Sequence, residues 1–157
     1  MTNNDHLVRL ALIGGLALVW WLAFIPGLID FIGPFIRPKN GESPTAMVLE
    51  IRMWSTYVVG VATVVALLWY VYGVSQHIDQ WSGVNHRTAW SLFLLATGCM
   101  AVYAGFSLTT VASGAARVWA VYAVLGCGLY YFASVLASPT RWKYTPPLAV
   151  YFRKLVV

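Results

Sequence analysis

The sequence predicts an all-α integral membrane protein: a four-transmembrane-helix bundle with a bent first helix and an interfacial C-terminal tail. Of its 157 residues, 60% are hydrophobic and only 10% are charged. A soluble domain carries about 25% charged residues, so this chain has too few charges to cover a surface that faces water. Its apolar residues are grouped into runs of about 20, the length that crosses the hydrocarbon layer of a bilayer.

Four apolar segments predict four spans within a transmembrane domain of residues 1–137. They cover about 7–29, 53–74, 89–112 and 118–137. Their interiors hold almost no ionisable groups, as the cost of a charge at mid-bilayer requires. The first segment is too long for a signal-peptide core, and no A-x-A cleavage pattern follows it. We therefore expect an uncleaved first membrane helix.

The connections between the segments predict further features. The pair Pro26-Gly27 predicts a bend in the first helix, after which the chain lies along the membrane interface. Ser43 is predicted to cap the next helix, with Pro44 in its first turn. Six tryptophans fall near segment ends, which is typical of the aromatic belts at the two membrane surfaces. They are Trp54, Trp69, Trp81, Trp90, Trp119 and Trp142.

The tail, residues 138–157, combines apolar and aromatic residues with four cations: Arg141, Lys143, Arg153 and Lys154. Such a segment is predicted to lie on the membrane surface, where it binds anionic lipid headgroups or docks onto a partner. The other cations lie singly or in pairs at the edges of apolar runs. The net charge of +5 therefore favours lipid over nucleic acid as the partner.

Four spans place both chain termini on the same side of the membrane. That side would carry six of the cations and the opposite side four, when the tail is counted. Because cytoplasmic loops carry an excess of Lys and Arg, this count favours both termini inside. We expect the cytoplasmic membrane of a prokaryote.

The most polar internal stretch, residues 75–88, holds His77, Asp79 and His86, and four spans bring His6 to the same membrane face. Imidazole and carboxylate groups suit zinc, copper or iron, so these four residues are a candidate metal site. The favoured alternative is a solvated turn between two membrane helices. Haem would need axial histidines inside the bundle, and no histidine lies in mid-span. No cofactor is therefore predicted, and a metal or haem site is the weaker hypothesis.

Asp30 is the only acid within an apolar neighbourhood, which makes it a candidate proton or cation site. The alternative, which we favour, is that the bend at Pro26 brings Asp30 to the interface, where Arg37 or Lys39 pairs with it.

A stripe of small residues recurs every four positions on the third segment, at Thr97, Ala101 and Gly105. Small side chains let helix backbones approach closely within a bilayer, so the stripe predicts a helix-packing face. The pattern does not distinguish a contact within the chain from a contact with another subunit.

The chain has no phosphate-binding glycine loop, no HExxH and no nucleophile motif, so we expect no catalytic activity of its own. The favoured function is a non-catalytic accessory or structural subunit of a multi-subunit membrane complex of respiratory, photosynthetic, monooxygenase or transport type. Other membrane subunits would be its partners.

Two alternatives stay open. One is a small homo-oligomeric transporter or channel, and the other is a membrane anchor that holds a metal or haem at the histidine interface. In length and span number the chain resembles small multidrug exporters, although their first helix carries a glutamate that is missing here. A transport path would have to use Asp30 and scattered hydroxyl groups, those of Thr63, Thr97, Ser107, Thr109 and Thr110.

Overall fold

The computed structural model describes residues 3–39, 41–75, 83–114, 118–138 and 146–147. Of these residues 87% are helical. In chain order the elements are α1 (Asn3–Val19), a π-helical turn (Trp20–Phe24), α2 (Ile25–Ile32), a 3₁₀ turn (Gly33–Phe35), β1 (Arg37–Pro38), α3 (Pro44–Ser75), α4 (Gly83–Leu108), β2 (Ala112–Ser113) and α5 (Val118–Ala137).

Four helical stretches are long and apolar enough to cross a membrane, as the sequence predicts. They are Asp5–Phe35, called the first span below, Pro44–Ser75, His86–Leu108 and Val118–Ala137. Their ends differ in places from those of the apolar segments: α3 begins at Pro44 rather than near 53, and α4 ends at Leu108 rather than near 112.

Residues just before Pro44 explain why α3 begins so early. The backbone N–H of Ala46 donates to Ser43 Oγ over 3.1 Å, which satisfies one of the free donors at the helix start. Pro44 occupies the first turn, where its missing N–H costs nothing. The predicted cap is confirmed, and it lets the helix extend beyond the apolar segment.

The first span stays helical through Pro26, but its geometry changes just before that residue. Proline lacks an amide hydrogen, and its ring crowds the carbonyl four residues earlier. The turn Trp20–Phe24 is π-helical, a wider turn that relieves such a conflict. Trp20 Nε1 donates to the Leu125 carbonyl over 3.0 Å, so this turn is fastened to α5.

Helices α3, α4 and α5 form the centre of the bundle, and the first span packs at its margin. Half of the apolar window of α5 is buried (50%), against 17% for the window of the first span. The buried core runs from Ile32 and Met47 at one end to Trp69 and Trp90 at the other. Trp69 and Trp90 thus lie inside the bundle, so their assignment to aromatic belts is wrong.

A two-residue strand pair joins the segment after the first span to the end of α4. Strands β1 and β2 are antiparallel, with Arg37 opposite Ser113. The Lys39 N–H donates to the Val111 carbonyl over 3.0 Å, and the Lys39 ammonium donates to the Thr109 carbonyl. Next to this pair Gly114 has a φ of +85°, a conformation that favours glycine.

The small-residue stripe on α4 contacts α5 of the same chain. Thr97, Ala101 and Gly105 are buried. A Cβ atom added to Gly105 would lie 2.4 Å from the Trp119 Cβ, and one added to Gly126 would lie 3.3 Å from Thr97 Cγ2. Both ends of the stripe therefore contact α5 closely, and at Gly105 the distance is one that only glycine permits.

Candidate functional site

A cluster of hydrogen-bonded polar side chains lies where α1 begins, α3 ends, α4 begins and α5 ends. Hydrogen bonds between elements far apart in the chain gather here. We call this region the histidine end, defined by His6, Arg9, Tyr70, Tyr72, His86 and Ser138.

His6 in the first turns of α1 is bonded to α3. Its Nδ1 lies 2.5 Å from the Tyr70 hydroxyl oxygen, a hydrogen bond whose donor depends on the histidine tautomer. The two rings meet edge-on, with centroids 6.1 Å apart and planes at 74°. His6 is half-buried and Tyr70 is buried, so the pair fastens the start of the chain to α3.

His86, near the start of α4, is only 7% exposed. Its Nδ1 lies 3.4 Å from the Tyr72 hydroxyl oxygen, and the two rings are edge-on with centroids 6.0 Å apart. Tyr70 and Tyr72 are two residues apart on α3, which turns them about 200° from each other. The two histidines therefore share one end of the bundle but contact α3 on different sides.

A metal at this end would need more ligands than the two visible histidines. Among the residues with described positions, no group of three or more His, Cys, Asp or Glu could hold a metal ion. His77 and Asp79, the other two predicted ligands, lie outside the described residues. The metal site of His6, His77, Asp79 and His86 thus stays a prediction.

Arg9 connects the first span to the last helix. Its Nη1 donates to the carbonyl of Ala137 over 3.1 Å and to that of Ser138 over 2.9 Å. The last carbonyls of a helix have no partner within the helix and carry the negative end of its dipole, so a guanidinium is well matched to them. The start of the chain and the end of α5 are thereby held at the same end of the bundle.

Two buried tryptophan–serine pairs brace the three central helices next to the histidine end. Trp69 Nε1 donates to Ser138 Oγ over 2.8 Å, and Trp90 Nε1 donates to Ser134 Oγ over 2.9 Å. The Tyr130 hydroxyl donates to the Trp90 carbonyl over 3.3 Å. A buried indole N–H requires an acceptor, and these serines supply it. The pattern of the sequence does not reveal the pairs, because their members are far apart in the chain.

Asp30 lies on α2 and is exposed. The nearby Leu28 and Ile32 are buried, and each is two residues away, so Asp30 falls on the opposite side of the helix, away from the bundle. Neither Arg37 nor Lys39 forms an ion pair with it, and Lys39 instead contacts the end of α4. The expected pairing is thus absent.

Most of the hydroxyl groups considered for a transport path bond to their own helix. The four threonines among them each donate to a carbonyl three or four residues earlier, as threonine commonly does in a helix or at its end. The bonds are Thr63 to Val59, Thr97 to Phe93, Thr109 to Phe106 and Thr110 to Ser107.

The four predicted lipid-binding cations of the tail, Arg141, Lys143, Arg153 and Lys154, lie outside the described residues. Only Pro146 and Pro147 of the later tail are described. The Tyr131 hydroxyl donates to the Pro147 carbonyl over 2.5 Å, so this point of the tail lies against α5.

Comparison with known proteins adds no relative to this picture. No protein-family model matches the chain, and neither does any curated protein or solved structure.

Proposed function

We propose that this chain is an integral membrane protein, with its four long helices spanning the bilayer, and that it serves as a non-catalytic accessory subunit of a multi-subunit membrane complex. One observation carries the proposal. Helices α3, α4 and α5 are joined by many hydrogen bonds, whereas the first span packs at the edge of the bundle and exposes aromatic side chains.

Hydrogen bonds between helices stabilise the centre of the bundle, formed by α3, α4 and α5. Its buried tryptophan, tyrosine and serine side chains bond to groups on neighbouring helices, as Tyr122 does to the Ile51 carbonyl over 3.0 Å. Within a bilayer such bonds hold helices together at fixed positions. A subunit whose polar interior is used in this way is suited to support other chains.

The first span offers the surface for a partner. Phe24, Phe31 and Phe35 are exposed along it, with Asp30 among them. A groove of about 270 Å³ runs between the first span and α5, and its lining is almost entirely apolar. Gly27 lies in this groove with open space around it. A partner helix with small side chains fits here, and a basic residue on that helix would pair with Asp30.

In this proposal the first helix bends at the π turn, and the tail lies on the membrane surface, where its cations bind anionic lipid. Both termini face the cytoplasm of a prokaryote, with the histidine end on that side. The contacts of Arg9 with Ala137 and Ser138 support a common side for the two termini.

Native purification in mild detergent tests the proposal, followed by mass measurement of the intact assembly. We expect a fixed stoichiometry with at least one different membrane polypeptide. Phe31→Ala on the first span should reduce recovery of that partner by roughly tenfold, since aromatic anchors at interfaces often contribute over 1.4 kcal/mol. Phe106→Ala on α4 is a matched control, because Phe31 and Phe106 are 63% and 65% exposed.

A purified species that contains this chain alone would contradict the accessory role and favour the homo-oligomeric transporter. Equal losses from the two phenylalanine variants would contradict docking on the first span. Metal analysis and an absorption spectrum of the same sample test the anchor hypothesis, for which a bound metal or a haem absorption band is required.

A further inference from the structure

We propose that Arg52, together with Trp21 and the segment around Pro26, forms a specific binding site for one anionic phospholipid on the outer surface of the bundle. This inference rests on the membrane placement proposed above. It concerns a different surface from the tail and from the groove beside α5.

The site is a crevice between the first span and α3. It has a volume of about 90 Å³ and is lined by Trp21, Leu22, Ile25, Pro26 and Arg52. Four of these residues are apolar or aromatic and belong to the first span, and the fifth is a cation on α3. A phospholipid carries a phosphate in its headgroup and hydrocarbon in its acyl chains, so the lining offers a cation to the phosphate and an apolar surface to part of one chain.

The wall of the crevice is held in position by hydrogen bonds. Trp21 Nε1 donates to Thr56 Oγ1 over 3.2 Å, and Thr56 Oγ1 donates to the Arg52 carbonyl over 2.9 Å. Trp21 on the first span is thereby tied to the turn of α3 that bears Arg52. The π turn contributes to this, since Trp20 is bonded to α5 while its neighbour Trp21 is bonded to α3.

The guanidinium of Arg52 is available for a ligand. Arg52 is exposed, and among the residues that the structure describes its side chain has no hydrogen-bond or ion-pair partner. Glu50 lies two residues earlier, about 200° around α3, and so faces another direction. A guanidinium presents five N–H donors in a planar fork, which suits the paired oxygens of a phosphate.

The depth of Arg52 fits the headgroup region. Helix α3 has 32 residues and is therefore about 48 Å long, whereas the hydrocarbon layer is about 30 Å thick. Arg52 lies about 12 Å from the start of the helix, close to where the hydrocarbon would begin. Side chains lean toward the N-terminus of their helix, which directs this guanidinium outward to the phosphates while Ile25 and Trp21 lie beside the acyl chain.

The test compares binding of phosphatidylglycerol and phosphatidylcholine to the purified full chain in detergent, by native mass spectrometry. We expect the wild type to bind the anionic lipid at least about tenfold more tightly, because both headgroups offer a phosphate to the guanidinium but only in phosphatidylcholine does a second positive charge, the choline, oppose the arginine. Arg52→Gln should lose the tightest-bound phosphatidylglycerol, whereas lipid held by the tail cations remains. Arg37→Gln is the control, because Arg37 is an exposed arginine on the strand pair and does not line the crevice.

A second variant tests the site without removing its charge. Leu22→Trp fills the crevice from an exposed position and should displace the bound lipid while Arg52 remains. Retention of the tightest-bound phosphatidylglycerol in Arg52→Gln, or its equal loss in Arg37→Gln, would overturn the proposal, as would its retention in Leu22→Trp.

Alkaline carbonate extraction of cell membranes separates failure of this proposal from failure of the membrane placement. A chain that stays in the membrane but lacks the lipid preference overturns the site alone. A chain released by carbonate overturns both proposals.

Discussion

At the scale of single residues, close packing in this bundle depends on glycines that face a neighbouring backbone. Gly105 on α4 is the clearest case, because an added Cβ would lie 2.4 Å from the Trp119 Cβ and 2.6 Å from its Cα. No rotamer change can relieve a clash with main-chain atoms. Gly60 on α3 is the opposite case, with nothing within 4 Å of an added Cβ.

We therefore predict that Gly105→Ala destabilises the bundle by about 1–3 kcal/mol, the usual cost of forcing extra volume into a packed interface. Gly60→Ala should leave stability unchanged or raise it by up to about 1 kcal/mol, since alanine is the better helix former. Thermal unfolding of both variants in the same detergent, followed by circular dichroism, provides the measurement. Equal stability of the two variants would contradict the α4–α5 contact.

Residue roles were the least predictable part of the site. The sequence placed His6 and His86 at one membrane face, and the structure has both at the histidine end. Their partners Tyr70 and Tyr72 could not be predicted, because a contact depends on how each helix is rotated. The position of Trp69 was mispredicted because of the same unknown, the rotation of the helix. Its nearness to a segment end suggests a membrane surface but does not show which side of the helix faces the core.

At the scale of elements, the strand pair β1–β2 links the first span to α4 at the end of the bundle opposite the histidine end. It depends on Gly114, whose φ is +85° and whose added Cβ would lie 2.8 Å from the Phe35 carbonyl oxygen. The pairing ties the end of the first span to the end of α4, although nearly the whole of α3 and α4 separates them in the chain.

Gly114→Ala should therefore weaken this strand pairing and expose Lys39, whose N–H bonds to the Val111 carbonyl, to trypsin. Gly41→Ala is the matched control: Gly41 has a similar φ of +94° but nothing within 4 Å of an added Cβ. Both variants bear the backbone strain of about 1 kcal/mol, and only the first adds the clash. Trypsin does not cleave between Arg37 and Pro38, so the bond to follow is the one after Lys39. We expect cleavage there several times faster in Gly114→Ala than in Gly41→Ala, measured by limited proteolysis in detergent. Equal rates would show that the close contact with Phe35 does not matter.

The elements themselves were largely predictable, since four apolar runs of membrane length gave four long helices. Their ends and irregularities were less so. The end of α4 at Leu108 cannot be read from hydropathy, because the apolar run continues while the chain leaves the helix to pair with β1. The π turn was also missed, although Pro26 was the signal for a disturbance nearby.

At the scale of the whole molecule, the contact between the start of α1 and the end of α5 indicates the topology of the helices. Arg9 reaches the last carbonyls of α5, so the start of the first span and the end of the last helix lie side by side. The four membrane crossings that we propose would give the same result independently, because an even number of spans returns the chain to its original side.

We predict that tags at the two termini are accessible from the same side of the membrane. In sealed inside-out vesicles, protease should remove both tags to a similar extent, and in right-side-out spheroplasts it should remove neither. This is the result expected for both termini inside, with cation-rich segments retained in the cytoplasm. Removal of only one tag in either preparation would contradict four crossings. Removal of both from spheroplasts would reverse the orientation but keep the fold.

The contacts of the first span with α5 also determine when, during synthesis, the first span can reach its native position. During synthesis the first span emerges from the ribosome earliest, yet Arg9 and Trp20 find their acceptors only on the last helix. Until that helix has been made, the guanidinium and the indole cannot form these bonds. The final position of the first span is therefore reached only after α5 has been made, although about 80 residues of α3 and α4 and their connections come between them.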